Sequence, residues 1–157
     1  MEPVFEHMQT KHVVLNVEGN SYNACLGAFL GALEARGVLN REQRAGLESA
    51  LLSRETMGGT GIGRGVALPH AYVAQMPEPL LLFARLSHPA QHATPDNTPV
   101  DLVFLLTGPP AAERHHLVTL ARLVRLLHDG QLLDELRQSK SDAAAMAALH
   151  AVERRHA

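Results

Sequence analysis

The spacing of hydrophobic positions divides the chain into segments of two kinds. Three apolar runs predict β-strands, at residues 12–17 (HVVLNV), 80–86 (LLLFARL) and 100–107 (VDLVFLLT). The last two runs have almost no polar position, which is typical of strands that are buried on both faces. A glycine-rich turn followed by a short apolar stretch predicts a further strand, which ends at Pro69 and His70. The polar segment 89–99 predicts a loop.

Between and after these strands, apolar residues recur three and four positions apart, which predicts helices. Ser21 can cap the first helix and Gly37 can close it, while Asn40 and Gln43 form a loose capping box for the second. Further helices are predicted over 113–127, around 132–136, and from a cap at Ser141 to about residue 152. Asp129 and Gly130 should end the first of these three, and the tail 153–157 is expected to fray.

The order of these elements predicts an α/β fold. Strands and helices alternate in the first half of the chain, and helices dominate the second half. We expect a single domain over residues 1–157 with its core at about 12–152. Its central sheet should be mixed, mostly parallel-containing, of about five strands, and flanked by helices on both faces.

Composition narrows the class of protein. The 157 residues are 46% hydrophobic and 19% charged, with a formal net charge of −2 and few aromatic residues. This balance argues against a nucleic-acid partner, and the short apolar runs and polar N-terminal residues predict neither a membrane insertion nor a signal peptide. A single cysteine, Cys25, cannot form an internal disulfide, so we expect a reducing, cytoplasmic setting.

Candidate chemistry concentrates in residues 60–70 (TGIGRGVALPH). Pro69 lacks an N–H and fixes its own φ, so it should end the strand and leave the next side chain on a rigid platform. An imidazole held there can act as a nucleophile, a general base or a metal ligand. The function therefore depends on the role of His70.

Several interpretations of this segment compete. The glycines can simply permit a tight turn. A nucleotide site is disfavoured, because Val66 and Ala67 stand where a phosphate-binding loop needs Lys and Ser or Thr. Zinc binding through His70, His115 and His116 lacks a carboxylate or cysteine at a recognised ligand spacing, so no metal and no cofactor is expected.

The fourth interpretation makes His70 a phosphate acceptor. A neutral imidazole is a good nucleophile, and its phosphate bond is labile enough to pass the group onward. Thr60 could supply a donor to the phosphoryl oxygens, Arg54 or Arg64 a cation, and His116 a second imidazole. Further donors could come from the backbone amides of the turn, at Gly61, Gly63 and Gly65.

The residues 54–70 (RETMGGTGIGRGVALPH) resemble the active-site signature of the fructose–mannitol type of enzyme IIA in the bacterial phosphotransferase system, a family that includes nitrogen-regulatory members. Two other segments agree with that family: 96–109 (DNTPVDLVFLLTGP) resembles a core strand, and 116–137 (HLVTLARLVRLLHDGQLLDELR) a helix with a second histidine. The resemblance covers about residues 12–152. It implies that the single domain is an enzyme IIA type 2 domain.

The resemblance also implies a role for each matching residue. His70 matches the histidine that takes phosphate from the phosphocarrier protein HPr and passes it to a IIB partner. Arg54 matches an arginine that balances phosphate charge, and Thr60 matches the threonine that opens the turn. His116 matches the second histidine, with His115 as an adjacent competitor. One departure is Ala71, where the family most often has glycine, but alanine is small enough to leave His70 accessible.

Two functions stay open under this resemblance. The chain could carry phosphate in sugar transport, or it could be a regulatory module whose phosphorylation on His70 controls the binding of a protein partner. No IIB, IIC or HPr segment is recognised in the 157 residues, so we expect any partner to be a separate chain. The sugar and the oligomeric state are not predicted.

Overall fold

A computed structural model describes residues 3–55 and 59–157 of the chain. Its strands are β1 (Val13–Val17), β2 (Gly61–Gly63), β3 (Val66–Ala67), β4 (His70–Tyr72), β5 (Leu80–Ala90) and β6 (Val100–Gly108). Its helices are α1 (Tyr22–Ala35), α2 (Arg41–Glu55), α3 (Glu113–Leu126), α4 (Gly130–Gln138) and α5 (Asp142–Arg155). Short 3₁₀ turns precede β1 and α3. No helix in these two ranges is long and apolar enough to cross a bilayer.

The strands in the described part of the chain form one mixed sheet in the order β1-β5-β6-β3-β2, with β4 also paired to β6. The pairs β1–β5, β3–β6 and β4–β6 are parallel, while β5–β6 and β2–β3 are antiparallel. β5 lies between β1 and β6, and β6 lies between β5 and the strands β3 and β4, so these two long strands form the centre of the sheet. The predicted mixed α/β sheet is confirmed.

Helices cover both faces of this sheet and create two cores. Leu82 and Leu105 project into the core beneath α1 and α2, whereas Phe83 and Phe104 project into the core beneath α3, α4 and α5. All four side chains are fully buried, and each such burial contributes about 2 kcal/mol. Burial on both faces explains why these strands have no polar stripe in the sequence.

The predicted helix starts are confirmed by capping hydrogen bonds. The Ser21 hydroxyl accepts from the Ala24 amide, and Ser141 caps α5 in the same way. Asn40 and Gln43 form the reciprocal box, each side chain accepting from the other residue's amide at 2.9 and 2.8 Å. These local patterns were sufficient because a cap depends on only four consecutive residues.

Two predicted boundaries were wrong, and one residue at a correctly predicted boundary has a second role. β5 continues to residue 90, so the loop expected from residue 89 begins later. Asp129 caps the start of α4 through the Leu132 amide, besides following the end of α3. α5 also reaches Arg155, past the end expected at about residue 152, and the Glu153 carboxylate accepts the amides of residues 4 and 5 at 2.9 and 2.5 Å. Each boundary depends on contacts that are distant in sequence.

Pro69 interrupts a strand and does not terminate it, which corrects the expectation that the strand ends at His70. β3 and β4 lie along β6 in one continuous register, with Val66 opposite Leu102 and His70 opposite Leu106. Proline has no N–H to donate, but the Pro69 carbonyl accepts from the Leu106 amide at 3.0 Å. His70 is therefore the first residue of β4, and the residues before and after it are both hydrogen-bonded or paired to β6.

Candidate functional site

The hairpin of β2 and β3 leads directly to His70. The Thr60 carbonyl accepts a hydrogen bond from the Leu68 amide at 2.9 Å, and Gly61 lies opposite Ala67 in the antiparallel pair. Thr60 is itself buried. These two predicted phosphate-binding residues therefore lie beside the chain segment that immediately precedes His70.

The other two predicted glycines lie at the far end of the same hairpin. Gly63 and Gly65 flank the turn, with φ values of 96° and 80°. Gly65 precedes His70 by five positions, which corresponds to about 15 Å of extended chain. The structure does not bring these two glycines and His70 together.

Charged side chains hold that far turn. The Arg64 amide donates to the Asp96 carboxylate at 2.9 Å, which lowers the pKa of Asp96. Arg137 donates to the Arg64 carbonyl at 2.5 Å and to both Asp101 carboxylate oxygens at 2.8 and 2.9 Å. The Arg64 guanidinium donates to the His128 carbonyl at 2.6 Å. The side chain of Arg64, one of the two candidate cations, is thus hydrogen-bonded just after the end of α3.

A backbone contact orients the His70 ring. Its Nδ1 lies 2.7 Å from the Leu68 carbonyl, and the side chain is half-buried. Because a carbonyl oxygen can only accept, Nδ1 carries the hydrogen and the neutral ring keeps its lone pair on Nε2. His70 therefore has one defined nucleophilic nitrogen.

His116 lies in the first turns of α3, on the same side of the sheet as His70. Its side chain is completely buried, and its ring stacks on Tyr72 with the ring centroids 4.7 Å apart and the planes at 28°. The Nε2 edge faces Gly108, where an added Cβ would lie only 2.8 Å away. His70 contributes to the electrostatic environment of His116, so the structure brings the two imidazoles into one site.

Burial keeps the His116 ring neutral. Loss of contact with water lowers the pKa of His116, and the nearby His115 and His70 lower it further. The Thr107 carbonyl faces the ring and opposes this shift, but neither ring nitrogen makes a hydrogen bond of acceptable geometry within residues 3–55 and 59–157. Such orphaned buried groups are uncommon in native proteins.

His115, the competing candidate, points elsewhere. It is exposed and lines a separate cavity of about 250 Å³ between α3 and the N-terminal segment, whose wall includes His7 and Arg122. His116, by contrast, contacts the residue two positions after His70. The geometry favours His116 as the second imidazole of the site.

Arg54 lies in the last turn of α2 and is half-buried. α2 packs on the face of the sheet opposite α3 and contacts β4, so it approaches the site from the other side. The residues that follow it, 56–58, lie outside the described residues. The phosphate-balancing role of Arg54 stays a prediction.

Taken together, these residues can support nucleophilic chemistry at an imidazole. A lone pair on His70 Nε2 is available, and a neutral imidazole with unused N–H capacity lies beside it. No group of three or more His, Cys, Asp or Glu side chains that could hold a metal occurs in the described residues.

Two residues of this site escaped the sequence analysis in this role. These residues are Tyr72 and Gly108. The signal for Tyr72 was its position two residues after His70, since alternate residues of a strand project to the same side. Gly108 could not be found from sequence, because its contact with His116 spans a strand–helix connection.

A comparison with family models matches residues 6–152 to the family described as "Phosphoenolpyruvate-dependent sugar phosphotransferase system, EIIA 2". Among curated relatives, the chain is 43% identical over 115 residues to a nitrogen regulatory protein of Bradyrhizobium diazoefficiens, covering 73% of this chain and 74% of that protein.

Two further comparisons cover more of the chain. The chain is 32% identical over 136 residues to the fructose-specific EIIABC component of the PTS system in Bacillus subtilis, which is 86% of this chain but only 21% of that longer protein. Among solved structures, it superposes on the nitrogen regulatory protein IIA-Ntr of Neisseria meningitidis with a TM-score of 0.79 and 30% identity, covering 90% of this chain and 94% of that one.

Proposed function

The chain belongs to the EIIA type 2 family of the sugar phosphotransferase system, as its sequence predicted, and from that premise we propose that it is a phosphohistidine carrier that accepts phosphate on His70. The observation that carries this proposal is the hydrogen bond from Nδ1 to the Leu68 carbonyl, which leaves a lone pair on Nε2. A phosphocarrier needs one nucleophilic nitrogen with a fixed direction of attack, and this contact supplies it.

The proposed transfer balances without a cofactor. The His70 Nε2 lone pair attacks the phosphorus of a donor phosphohistidine, forming one N–P bond as the donor's N–P bond breaks and returns its electron pair to the donor ring. The positive charge gained by the His70 ring is stabilised by the Nδ1–H bond to Leu68. Passing the phosphate onward reverses these steps with a second acceptor.

Nearby groups would stabilise the transferred phosphate. His116 has unused hydrogen-bonding capacity and can donate an N–H to a phosphoryl oxygen that arrives on His70. Thr60 and Gly61 border the same strand segment and could supply further donors. Arg54 would add positive charge from α2. Gly63 and Gly65 have no such role in this proposal, because of their place at the far turn.

The partners follow from the family. We propose an HPr-like phosphocarrier as the donor and a IIB protein as the recipient. The fructose-specific relative is named as an EIIABC component, which places the A, B and C parts in one chain of that protein. The 157 residues here correspond to the A part, so the B function would come from outside this segment.

A regulatory role is a second candidate, favoured by the names of two relatives. The Bradyrhizobium protein at 43% identity and the Neisseria structure at 30% identity are both nitrogen regulatory proteins. In that role, phosphate on His70 would change the surface around Tyr72 and α3 and thereby decide whether a protein partner docks.

Phosphorylated HPr mixed with the wild-type protein, His70→Ala and His115→Ala tests the proposal. We expect phosphate on the wild type and on His115→Ala, at Nε2 of a histidine by ³¹P–¹⁵N NMR, and none on His70→Ala. Equal labelling of His70→Ala, or phosphate on Nδ1, would contradict it. Capture of the same partners by phosphorylated and unphosphorylated protein would contradict the regulatory role.

A further inference from the structure

Tyr72 covers one face of the second histidine of the site. We propose that Tyr72 is a positioning residue, which holds the His116 ring in place for phosphoryl transfer by stacking on it; this inference rests on the function proposed above. The ring centroids are 4.7 Å apart and the planes are nearly parallel, which is contact geometry for an aromatic pair.

The strand places Tyr72 where it can do this. β4 begins at His70, and residues two apart on a strand project to the same side, so His70 and Tyr72 both face α3. Ala71, between them, projects into the opposite core beneath α1 and α2. The same three-residue strand thus presents the acceptor ring and the ring that supports its neighbour.

In the described part of the chain, no polar group forms a well-aligned hydrogen bond that would fix the rotation of the His116 ring. The Thr107 carbonyl faces the ring, but both nitrogens are buried and neither makes a hydrogen bond of acceptable geometry within residues 3–55 and 59–157, so packing against the ring has a large part in its orientation. Tyr72 supplies the contact on the face, and Gly108 lies at the Nε2 edge, where no side chain larger than hydrogen would fit without a shift. Removing the tyrosine ring would leave the imidazole free to turn and open to water.

The stack also suits the charge that the reaction brings. A phosphoryl group on His70 would favour a proton on His116, and the electron-rich face of a tyrosine stabilises an imidazolium lying over it. Burial, and to a lesser extent the nearby Glu113 at the start of α3, raise the pKa of the Tyr72 hydroxyl, so the phenol stays neutral at physiological pH. Tyr72 therefore supports both the neutral and the charged states of His116.

The position of Tyr72 could also suggest partner docking, since 36% of its surface is exposed. A docking residue and a positioning residue have different kinetic effects. Loss of docking surface raises KM for the phosphorylated donor, whereas loss of the His116 orientation lowers kcat. Leu117 provides a matched control, because it is an apolar residue beside His116 that is 58% exposed and therefore faces mainly solvent.

The experiment compares Tyr72→Ala, Tyr72→Phe and Leu117→Ala. Transfer from phosphorylated HPr is measured together with the NMR titration of His116, and circular dichroism checks the fold. For Tyr72→Ala we expect a fall in kcat of about tenfold with KM within twofold, and a His116 pKa that rises towards 6.5 as water reaches the ring. Tyr72→Phe should keep kcat within about twofold, because it retains the stack.

Three results would overturn the inference: a change in KM alone, a Tyr72→Phe variant as slow as Tyr72→Ala, or a Leu117→Ala variant with the same loss of kcat. The NMR titration needs no phosphate, so an unchanged His116 pKa in Tyr72→Ala would refute the stacking role even if the wild type accepted no phosphate. Absence of labelling on the wild type would instead refute the carrier function.

Discussion

The hairpin of β2 and β3 has the glycine turn at one end and His70, in the strand that follows, near the other. Polar groups are treated differently at these two ends. At the glycine turn, polar groups are paired: Arg137 and Asp101 form two hydrogen bonds with each other, and Asp96 accepts the Arg64 amide. At the histidine end, the buried His116 nitrogens lack a hydrogen bond of acceptable geometry in the described residues.

This difference separates stability from function within one hairpin. A satisfied ion pair rigidifies the backbone, whereas a buried imidazole without a hydrogen bond of acceptable geometry costs free energy of folding. The glycine turn therefore acts as the anchor of the strand that carries His70. Substitutions at the turn should change the free energy of unfolding, and substitutions at the histidine end should change phosphate transfer.

The largest effect on stability is expected for Gly65→Ala. A Cβ at residue 65 would lie 2.6 Å from an Arg137 guanidinium nitrogen and 2.7 Å from an Asp101 carboxylate oxygen, in a backbone with φ of 80°. We expect a loss of about 3 kcal/mol in the free energy of unfolding, measured with urea, because backbone strain adds to disruption of the ion pair. Labelling of the folded variant on His70 should be unchanged.

Gly37→Ala is the matched control for that substitution. Gly37 has a similar φ of 77°, but an added Cβ would meet nothing within 4 Å. It should therefore lose only about 1 kcal/mol, which is the backbone contribution alone. Equal losses for the two variants would show that the Arg137–Asp101 pair contributes nothing at the turn. Slower phosphate labelling of folded Gly65→Ala would show that Gly65 does take part in phosphate binding.

Arg137→Met should have the next largest effect. It removes the guanidinium that binds both Asp101 oxygens and the Arg64 carbonyl, and leaves a partly buried carboxylate without its cation. We expect a loss of about 2 kcal/mol by urea unfolding, less than for a fully buried pair because both side chains are partly exposed. Asp101→Asn combined with Arg137→Met should recover part of this loss; no recovery would contradict the pairing.

The sequence was sufficient for features that depend on neighbouring residues. The caps at Ser21 and Ser141, and the strands β5 and β6, follow from local chemistry and from unbroken apolar runs. The family signature around His70 was equally local. What could not be predicted was the meaning of each glycine, because Gly61 and Gly65 look alike in the sequence and only the hairpin separates them.

Long-range contacts account for the rest. Pro69 looks like a strand terminator in the sequence, but its carbonyl accepts a hydrogen bond from the Leu106 amide of β6. In the sequence His115 is an adjacent competitor of His116, and burial separates the two in the fold. The stack of Tyr72 on His116 joins residues 44 positions apart in a β4–α3 contact that no local pattern encodes.

His116→Leu should change the stability only slightly, and it is the sharpest test of the contrast between the two ends of the hairpin. Leucine removes two buried nitrogens that lack hydrogen bonds of acceptable geometry, so at pH 8 we expect the free energy of unfolding to rise by about 1 kcal/mol. Phosphate transfer to His70 should nevertheless slow at least about tenfold, because the second imidazole is lost. A gain in stability with a loss of activity is the signature of a group retained for function.

The pH dependence of the same variant supplies an independent check. Burial lowers the pKa of His116 below its ordinary 6.5, so the unfolded chain binds this proton more tightly than the folded one. Wild-type stability should therefore fall as the pH drops below about 6.5, and the advantage of His116→Leu should widen between pH 7 and pH 5. His12, whose pKa is also lowered, contributes equally to both proteins and cancels in the comparison. A constant difference across this range would mean that His116 is solvated in the folded protein, and the contrast between the two ends of the hairpin would then fail at its histidine end.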